Sequence, residues 1–360
     1  MSSRDLLRGG LSAPLTVTWE ITAGCNLACI HCLSSSGKRR PGELTLNEAR
    51  GIVHQLADCE VLQIHFGGGE PFMYPGFMEI VELAHERGLV ICISTNGTLI
   101  KPDLARRLGQ FDSLYVQVSL DGATAEINDQ VRGRGSYSRA LRGLELLARE
   151  GLELSVNCVL TRYNFSQLDR MYEIARSYHA RLRVTRLRPA GRGQESWKEL
   201  HPTTEQYHDF MLWLREHEDV LTADSFFHLN AFGHKLKGLD MCGAATATCC
   251  IAPEADVFPC AFFQAPEFCA GNLHTQTFVE IWRSSPIFQA YRTMEAGGCA
   301  GCGQFQVCHG GCPATKWFVA HSLSVRDPEC VLVKRDDRRR ARRVLPVLSL
   351  YVGAVRGGSD

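Results

Sequence analysis

Leu15-Thr16-Val17-Thr18-Trp19-Glu20-Ile21-Thr22 runs directly into Ala23-Gly24-Cys25-Asn26-Leu27-Ala28-Cys29-Ile30-His31-Cys32. The first eight residues are rich in β-branched and aromatic side chains and read as a strand. The three cysteines that follow, spaced C-x3-C-x2-C, fall in a loop at its carboxyl end. In sheets built with helical crossovers, that end carries the chemistry. Iron–sulfur clusters are normally held by four thiolates. Three in one short loop, with no fourth nearby, suggest a 4Fe-4S cluster whose open iron can take a substrate or cofactor. A three-ligand zinc loop or simple buried thiols would be the bland alternative.

Working outward, strand and helix signals alternate. Thr45 can cap a helix running to about Asp58. Val61–Phe66 is the next strand, stopped by Gly67-Gly68-Gly69, and a helix follows at Phe77–Arg87. Leu89–Thr95 is a third strand, ended by Asn96-Gly97. Helix 102–109, strand 114–120, helix 138–150, strand 153–160, helix 166–179, strand 181–187 and helix 204–217 complete six units. Such alternation predicts an α/β fold with a parallel sheet and helices outside it. Six units are short of a closed eight-unit barrel, so the expectation is a partial (β/α)6 TIM-like barrel.

After about residue 238 the alternation stops, and cysteines mix with Gly, Pro and short aromatic runs. Cys299-x2-Cys302-x5-Cys308-x3-Cys312 precedes Cys330, and Cys242, Cys249 and Cys260 lie upstream. A region of this kind is held by metal more plausibly than by a core. A zinc ribbon with two ions is the competing reading of the same eight thiols. The expected organisation is an N-terminal extension at 1–14, a barrel at 15–237, a cysteine-rich domain at 238–332 and a tail at 333–360. In the tail, Lys334–Arg343 is basic and Val344–Val355 is apolar but broken by Pro346, which suits a solvated helix end docked on the domain better than a membrane-surface role.

Composition narrows the function classes. The 360 residues include 45% hydrophobic and 22% charged, ordinary for a globular chain and wrong for a disordered one. Lys+Arg and Asp+Glu both number 39, which weighs against a nucleic-acid binder working by counterion release. Met1–Pro14 has no continuous apolar segment of signal-peptide type, and no apolar run approaches the ~20 residues needed to span a bilayer. The expectation is a cytoplasmic protein with reduced thiols, whose clustered cysteines, among 16 in all, are metal ligands or catalytic groups rather than a disulfide framework, while Cys92 and Cys158 fall within strands and read as core.

With the cysteine loop after strand one in a partial barrel, the chain resembles the radical S-adenosylmethionine (SAM) enzymes. Gly68-Gly69-Glu70-Pro71 after strand two resembles that family's GGEP motif, whose backbone receives the methionine amino group. Ser94-Thr95-Asn96-Gly97 after strand three resembles its ribose-contacting segment. Ser119-Leu120-Asp121-Gly122 after strand four resembles its SLDG segment, and Arg132 stands where relatives often place a SAM-carboxylate arginine. The resemblance implies that Cys25, Cys29 and Cys32 hold the cluster, whose open iron binds SAM. Reductive cleavage of SAM then gives a 5′-deoxyadenosyl radical able to abstract hydrogen from an unactivated carbon.

The second cysteine group resembles the SPASM extension, which carries two auxiliary 4Fe-4S clusters, making three in all. By that resemblance Cys242, Cys249, Cys260 and Cys312 hold one, and Cys299, Cys302, Cys308 and Cys330 the other. Cys250 stands beside Cys249, so either could be the ligand. Ala255 occupies a position where the pattern usually has glycine. Three stretches resemble the mycofactocin radical SAM maturases in particular: Ala28–Gly37, Arg186–Gly193, and Asp224–Leu229 running on to Gly238–Gly243.

That resemblance implies a small precursor peptide as substrate, oxidative decarboxylation of its C-terminal tyrosine, and then carbon–carbon crosslinking of valine to the tyrosine-derived unit. Because only about 14 residues precede strand one, a separate leader-peptide-binding protein is expected, together with an external electron donor and neither nucleic acid nor membrane. Arg186, Arg188 and Arg192 cluster after strand six, and Arg188 is the candidate for gripping the peptide carboxylate, since a planar guanidinium binds a carboxylate through two parallel hydrogen bonds. A thioether-forming or sulfatase-maturing SPASM enzyme is the nearest alternative, and a non-catalytic iron–sulfur electron carrier is the alternative from another class.

Overall fold

The computed structural model describes residues 11–222, 226–233, 242–294 and 297–332. The 237/238 boundary, residues Asp224-Ser225 and Gly238–Met241 of one quoted stretch, and the tail from 333 lie outside the described residues.

Six parallel strands form in chain order: β1 Thr16–Thr22, β2 Gln63–Gly68, β3 Val90–Thr95, β4 Leu114–Ser119, β5 Glu153–Leu160 and β6 Arg181–Arg186. Helices α1 Leu46–Asp58, α2 Phe77–Glu86, α3 Pro102–Leu108, α4 Ala125–Arg132, α5 Ser136–Arg149, α6 Leu168–Ser177 and α7 Thr204–Glu216 accompany them. The six expected units are all present, so the α/β partial barrel is the observed fold. Of these helices, α4 alone escaped the sequence reading. It has eight residues, too few to show a period, and starts on Thr124, whose side chain accepts from the Ile127 N–H.

The strands alternate strictly, and that alternation places the site. Val17, Trp19, Ile21, Ile64, Phe66, Ile91, Ile93, Val116, Val118, Val156, Leu182 and Val184 are buried against the helices. Thr18, Glu20, His65, Ser94, Gln117, Asn157 and Arg183 point the other way and line a cavity. A parallel sheet covered on both faces would be apolar throughout. Here the inner face is polar because it faces a ligand space instead of a second helix layer.

The sheet does not close; it runs β6-β5-β4-β3-β2-β1-β7-β8-β9. Strand β7 Thr248–Ile251 joins the free edge of β1 in parallel, and β8 Asp256–Phe258 and β9 Gly271–Asn272 add to it antiparallel. The cysteine-rich region therefore continues the barrel sheet. It also has more structure than its sequence suggested. Helix α8 Phe278–Ser284 starts on a Thr277/Glu280 capping box, α9 Pro286–Arg292 has proline in its first turn, and α10 Pro313–Ala320 follows Cys312. Each spans about two turns, too short to announce itself by periodicity. Phe278, Ile281, Trp282 and Phe288 join the main core, and Phe263, Phe268 and Leu323 form a smaller one with Cys312. The region thus has apolar packing of its own to hold it.

Candidate active site

A cavity of about 300 Å³ opens at the carboxyl ends of β1–β6. Cys25, Cys29 and Cys32 all line it. Their loop is fixed from several sides. Cys25 N–H donates to Gly37 O (2.7 Å) and Gly37 N–H to Ala23 O (2.9 Å), closing the loop on itself. Arg192 Nε donates to Cys29 O (2.8 Å) and its Nη1 to Ser36 O (3.0 Å), while Ser196 Oγ donates to Ile30 O (2.9 Å). Arg192 is therefore a clamp on the cysteine loop. Burial pushes the Cys25 thiol up to about 11 and raises Cys29 as well. A thiol gives up its proton on binding a metal, since the thiolate is the ligand.

The glycines after β2 exist for contact. A Cβ on Gly69 would stand 2.1 Å from Gly24 O, and one on Gly68, at φ 105°, would stand 2.6 Å from Thr22 O. Bare backbone lets the β2 loop lie against the cysteine loop, with Gly69 N–H on Thr22 O (2.7 Å) and Glu70 N–H on Gly24 O (2.8 Å). Both glycines line the cavity, so their peptide groups form its wall. Glu70 is fully buried and turned away. Its carboxylate accepts from Thr95 Oγ1 (2.8 Å) and Asn96 N–H (2.8 Å), joining the ends of β2 and β3. Burial pushes its carboxyl up to about 7. Pro71, itself buried, begins a short turn behind it.

Of the remaining sites read from sequence, Ser94, Asn96, Ser119 and Arg132 line the cavity. Asn96 Nδ2 donates to Asn26 Oδ1 (2.8 Å), tying the β3 end to the cysteine loop. Asp121 lies behind the wall, fully buried, at 2.6 Å from both Arg132 Nε and His31 Nε2, and accepts from Val159 N–H at 2.7 Å. Burial works to raise its pKa, but Arg132 and His31 hold it well below the usual carboxylate range. Asp121 thus anchors the cysteine loop through His31 and neutralises Arg132.

The arginines after β6 separate into different duties. Arg186, 1% exposed, donates from Nη1 and Nη2 to Asp327 (3.0 and 2.7 Å) and from Nε to Glu329, a buried link to the cysteine-rich region. Arg188 lies over the Phe262 ring, 3.8 Å from its centroid, with Nη1 3.3 Å from Cys312 Sγ and, among the described residues, no partner on Nε. Sequence reasoning missed the cavity floor. There Arg183 Nη1 donates to Gln117 Oε1 (2.9 Å), Gln117 Nε2 to Ser94 Oγ (2.8 Å), and His65 Nε2 pairs with Ser94 Oγ (2.6 Å). Inward parity on β2, β3, β4 and β6 was the available signal.

Cys299, Cys302, Cys308 and Cys330 line one small cavity together. Cys260 and Cys312 share the smaller core with Tyr291, whose phenol burial raises well above its ordinary value, with Cys242, Cys260 and Cys312 as further causes. Cys249 is not brought to them. Paired with Val17 on β1, it faces the main core, while Cys250, paired with Thr18, faces the opposite side and has Cys260 as a neighbour. Ala255 sits at φ 69°, the backbone region that favours glycine. Among the described residues no three His, Cys, Asp or Glu side chains converge on a single-ion site. A four-iron cluster asks instead for one thiolate per iron around a shared space.

Comparison with known proteins decides the family. The radical SAM superfamily profile matches residues 19–175, and an iron–sulfur cluster-binding SPASM profile matches 242–312. Mycofactocin maturase MftC of Mycobacterium ulcerans is 47% identical over 89% of this chain and 89% of its own length, and that of Mycobacterium tuberculosis is 45% identical over 94% and 88%. The chain belongs to the mycofactocin maturase family of radical SAM enzymes. An AdoMet-dependent heme synthase of Methanosarcina barkeri is more distant, at 30% identity over 89% of this chain and 97% of its own. Streptococcus suis SuiB bound to S-adenosylmethionine has the same fold, with a TM-score of 0.74 at 19% identity, covering 90% of this chain and 78% of that one. The maturase therefore uses SAM and iron–sulfur clusters and acts on a precursor peptide. Among its described residues no helix is long and apolar enough to cross a membrane.

Proposed function

We propose that this maturase removes the C-terminal carboxylate of a precursor peptide ending in Val-Tyr as carbon dioxide, with oxidation of the tyrosine side, and then joins the valine and tyrosine-derived carbons. The observation that carries this reading is the cavity itself. The three thiols of the β1 loop stand on one wall, and Arg188 on Phe262 stands on another beside Cys260. Cys25, Cys29 and Cys32 would hold the SAM-binding cluster, and when loaded it supplies a one-electron cleavage of SAM that yields a hydrogen-abstracting radical. The Gly68-Gly69 backbone, Ser94, Asn96 and Ser119 would orient SAM; Arg132, already matched by Asp121, contributes shape more than net charge.

Cys242, Cys260 and Cys312 with Cys249 or Cys250 would hold one auxiliary cluster, and Cys299, Cys302, Cys308 and Cys330 the other. Three clusters, an external electron donor and a separate leader-peptide-binding protein complete the reading, in a cytoplasmic setting. Arg188 Nε–H, buried and without a partner among the described residues, is suited to the peptide carboxylate. Arg183 on the floor has an unpartnered Nε as well.

The test is anaerobic incubation with SAM, a reductant, the leader-binding protein and a peptide ending in Val-Tyr, followed by mass spectrometry. Loss of carbon dioxide together with two hydrogens, which leaves an alkene on the tyrosine side, is expected first, and the crosslink, which adds a valine C–H across that alkene, brings no further change of mass. A charge-assisted hydrogen bond of about 1.5–3 kcal/mol makes Arg188→Ala roughly 10- to 100-fold slower in decarboxylation, while uncoupled SAM cleavage persists. An iron-replete Arg188→Ala enzyme that decarboxylates at the wild-type rate would place the carboxylate elsewhere.

A further inference from the structure

The cavity lined by Cys299, Cys302, Cys308 and Cys330 is also lined by His228, a residue of the Phe226–Leu229 stretch that the activity leaves unused. His228 is 1% exposed, and neither of its ring nitrogens has a hydrogen-bond partner among the described residues. Leaving one such group unsatisfied costs about 1–3 kcal/mol, so a folded chain keeps it only where something meets it.

The ring is held in place. Tyr207 packs edge-on against it at 4.8 Å between centroids, and Asn230 Nδ2 on the same turn donates to Val307 O (3.3 Å), beside Cys308. The charged groups nearby are Arg186, Arg188, Arg326 and Asp327. Asp327 already accepts from Arg186 and from the Cys312 and Glu329 N–H groups. In either charge state an imidazole carries at least one N–H donor. The four cysteines provide one thiolate for each iron of a cubane, so no coordination position asks for this histidine. Its N–H asks for an acceptor, and cluster or thiolate sulfur is the acceptor such a cavity offers.

We propose that His228 donates a hydrogen bond to a sulfur of the cluster held by Cys299, Cys302, Cys308 and Cys330, and so raises that cluster's reduction potential. Hydrogen bonds to sulfur stabilise the more negative, reduced state. The inference rests on the iron–sulfur character of residues 242–312 and not on the peptide's identity.

The test uses the full chain loaded with iron. Iron per chain and an EPR-monitored redox titration are compared in wild type, His228→Phe and His228→Gln. The expected result is wild-type iron in all three, a lower midpoint for one auxiliary signal in His228→Phe, and partial recovery in His228→Gln, whose amide keeps a donor. An unchanged midpoint in iron-replete His228→Phe overturns the proposal. So does loss of one cluster's iron in both variants, which would make the residue a ligand or a prop. If His228→Phe alone fails to load, 15N-histidine labelling of the wild type decides. A 15N coupling on an auxiliary-cluster signal that disappears in His228→Gln supports the hydrogen bond, and no coupling in the wild type overturns it.

Discussion

Replacing Gly69 by alanine tests whether the contact between the β2 loop and the cysteine loop is what positions the chemistry. Gly69 needs no left-handed backbone, so the constraint on it is purely steric. The added methyl would meet Gly24 O at 2.1 Å, Gly24 C at 2.6 Å and Ala23 C at 2.9 Å, all backbone atoms that no rotamer change can move. Restoring ordinary contact means separating the loops by roughly 1 Å, an overpacking cost of about 1–3 kcal/mol. The same shift stretches the Glu70 N–H to Gly24 O bond, 2.8 Å in the native loop. A displacement of roughly 1 Å near reacting groups costs on the order of 100-fold in rate. Gly67→Ala is the stability control, because its Cβ would find its nearest neighbour, Ser94 Cβ, at 3.9 Å. The assay is thermal unfolding together with 5′-deoxyadenosine formation in iron-replete samples. Gly69→Ala should melt lower and cleave SAM at least tenfold more slowly, while Gly67→Ala melts like wild type. A Gly69→Ala enzyme with native melting and native SAM cleavage would refute the reasoning.

Asp327→Asn should destabilise the protein by about 1–3 kcal/mol, since it takes one of two carboxylates from the buried Arg186 and leaves Glu329 to balance the charge; equal denaturation midpoints for variant and wild type would argue against this. Glu20 and Glu70 are each pushed up to about 7 by burial, so their contribution to stability is full below about 4.5 and is lost as pH rises through 7. Glu20→Gln should remove about half of the resulting fall in stability, on the order of 3 kcal/mol, between pH 5 and 8, and an unchanged pH profile of unfolding would contradict the raised value. Cys32→Ala should abolish SAM cleavage while most iron stays bound, whereas Cys308→Ala should lose about one cluster's iron and soften residues 242–332; paired iron analysis and 5′-deoxyadenosine assays check both, and normal cleavage by Cys32→Ala would exclude its role.

Much of the site was readable because its signals are local. The C-x3-C-x2-C spacing, the glycine pair at the end of β2 and the strand alternation each lie within about ten residues, where backbone geometry alone dictates which side chains share a face. Inward parity even marked Arg183 and His65, although polar strand residues invite no notice until the opposite face is seen to be covered. What stayed hidden depends on partners distant in the chain. Arg186 and Arg188 look equivalent in sequence, yet Asp327, 141 positions away, claims the first, while the second is left facing Phe262 and Cys312. Cys249 and Cys250 are adjacent and chemically identical; the register of β7 on β1 alone turns one into the core and the other toward Cys260. The sequence by itself determined the six strand–helix units and the cysteine loop, because those follow from periodicity and spacing along the chain, and the likeness of its motifs to a known family supplied the chemistry. Tertiary structure decided which charge is neutralised, which thiol faces which cavity and which histidine is left without a partner, because those depend on sheet register and packing between segments that only folding brings together.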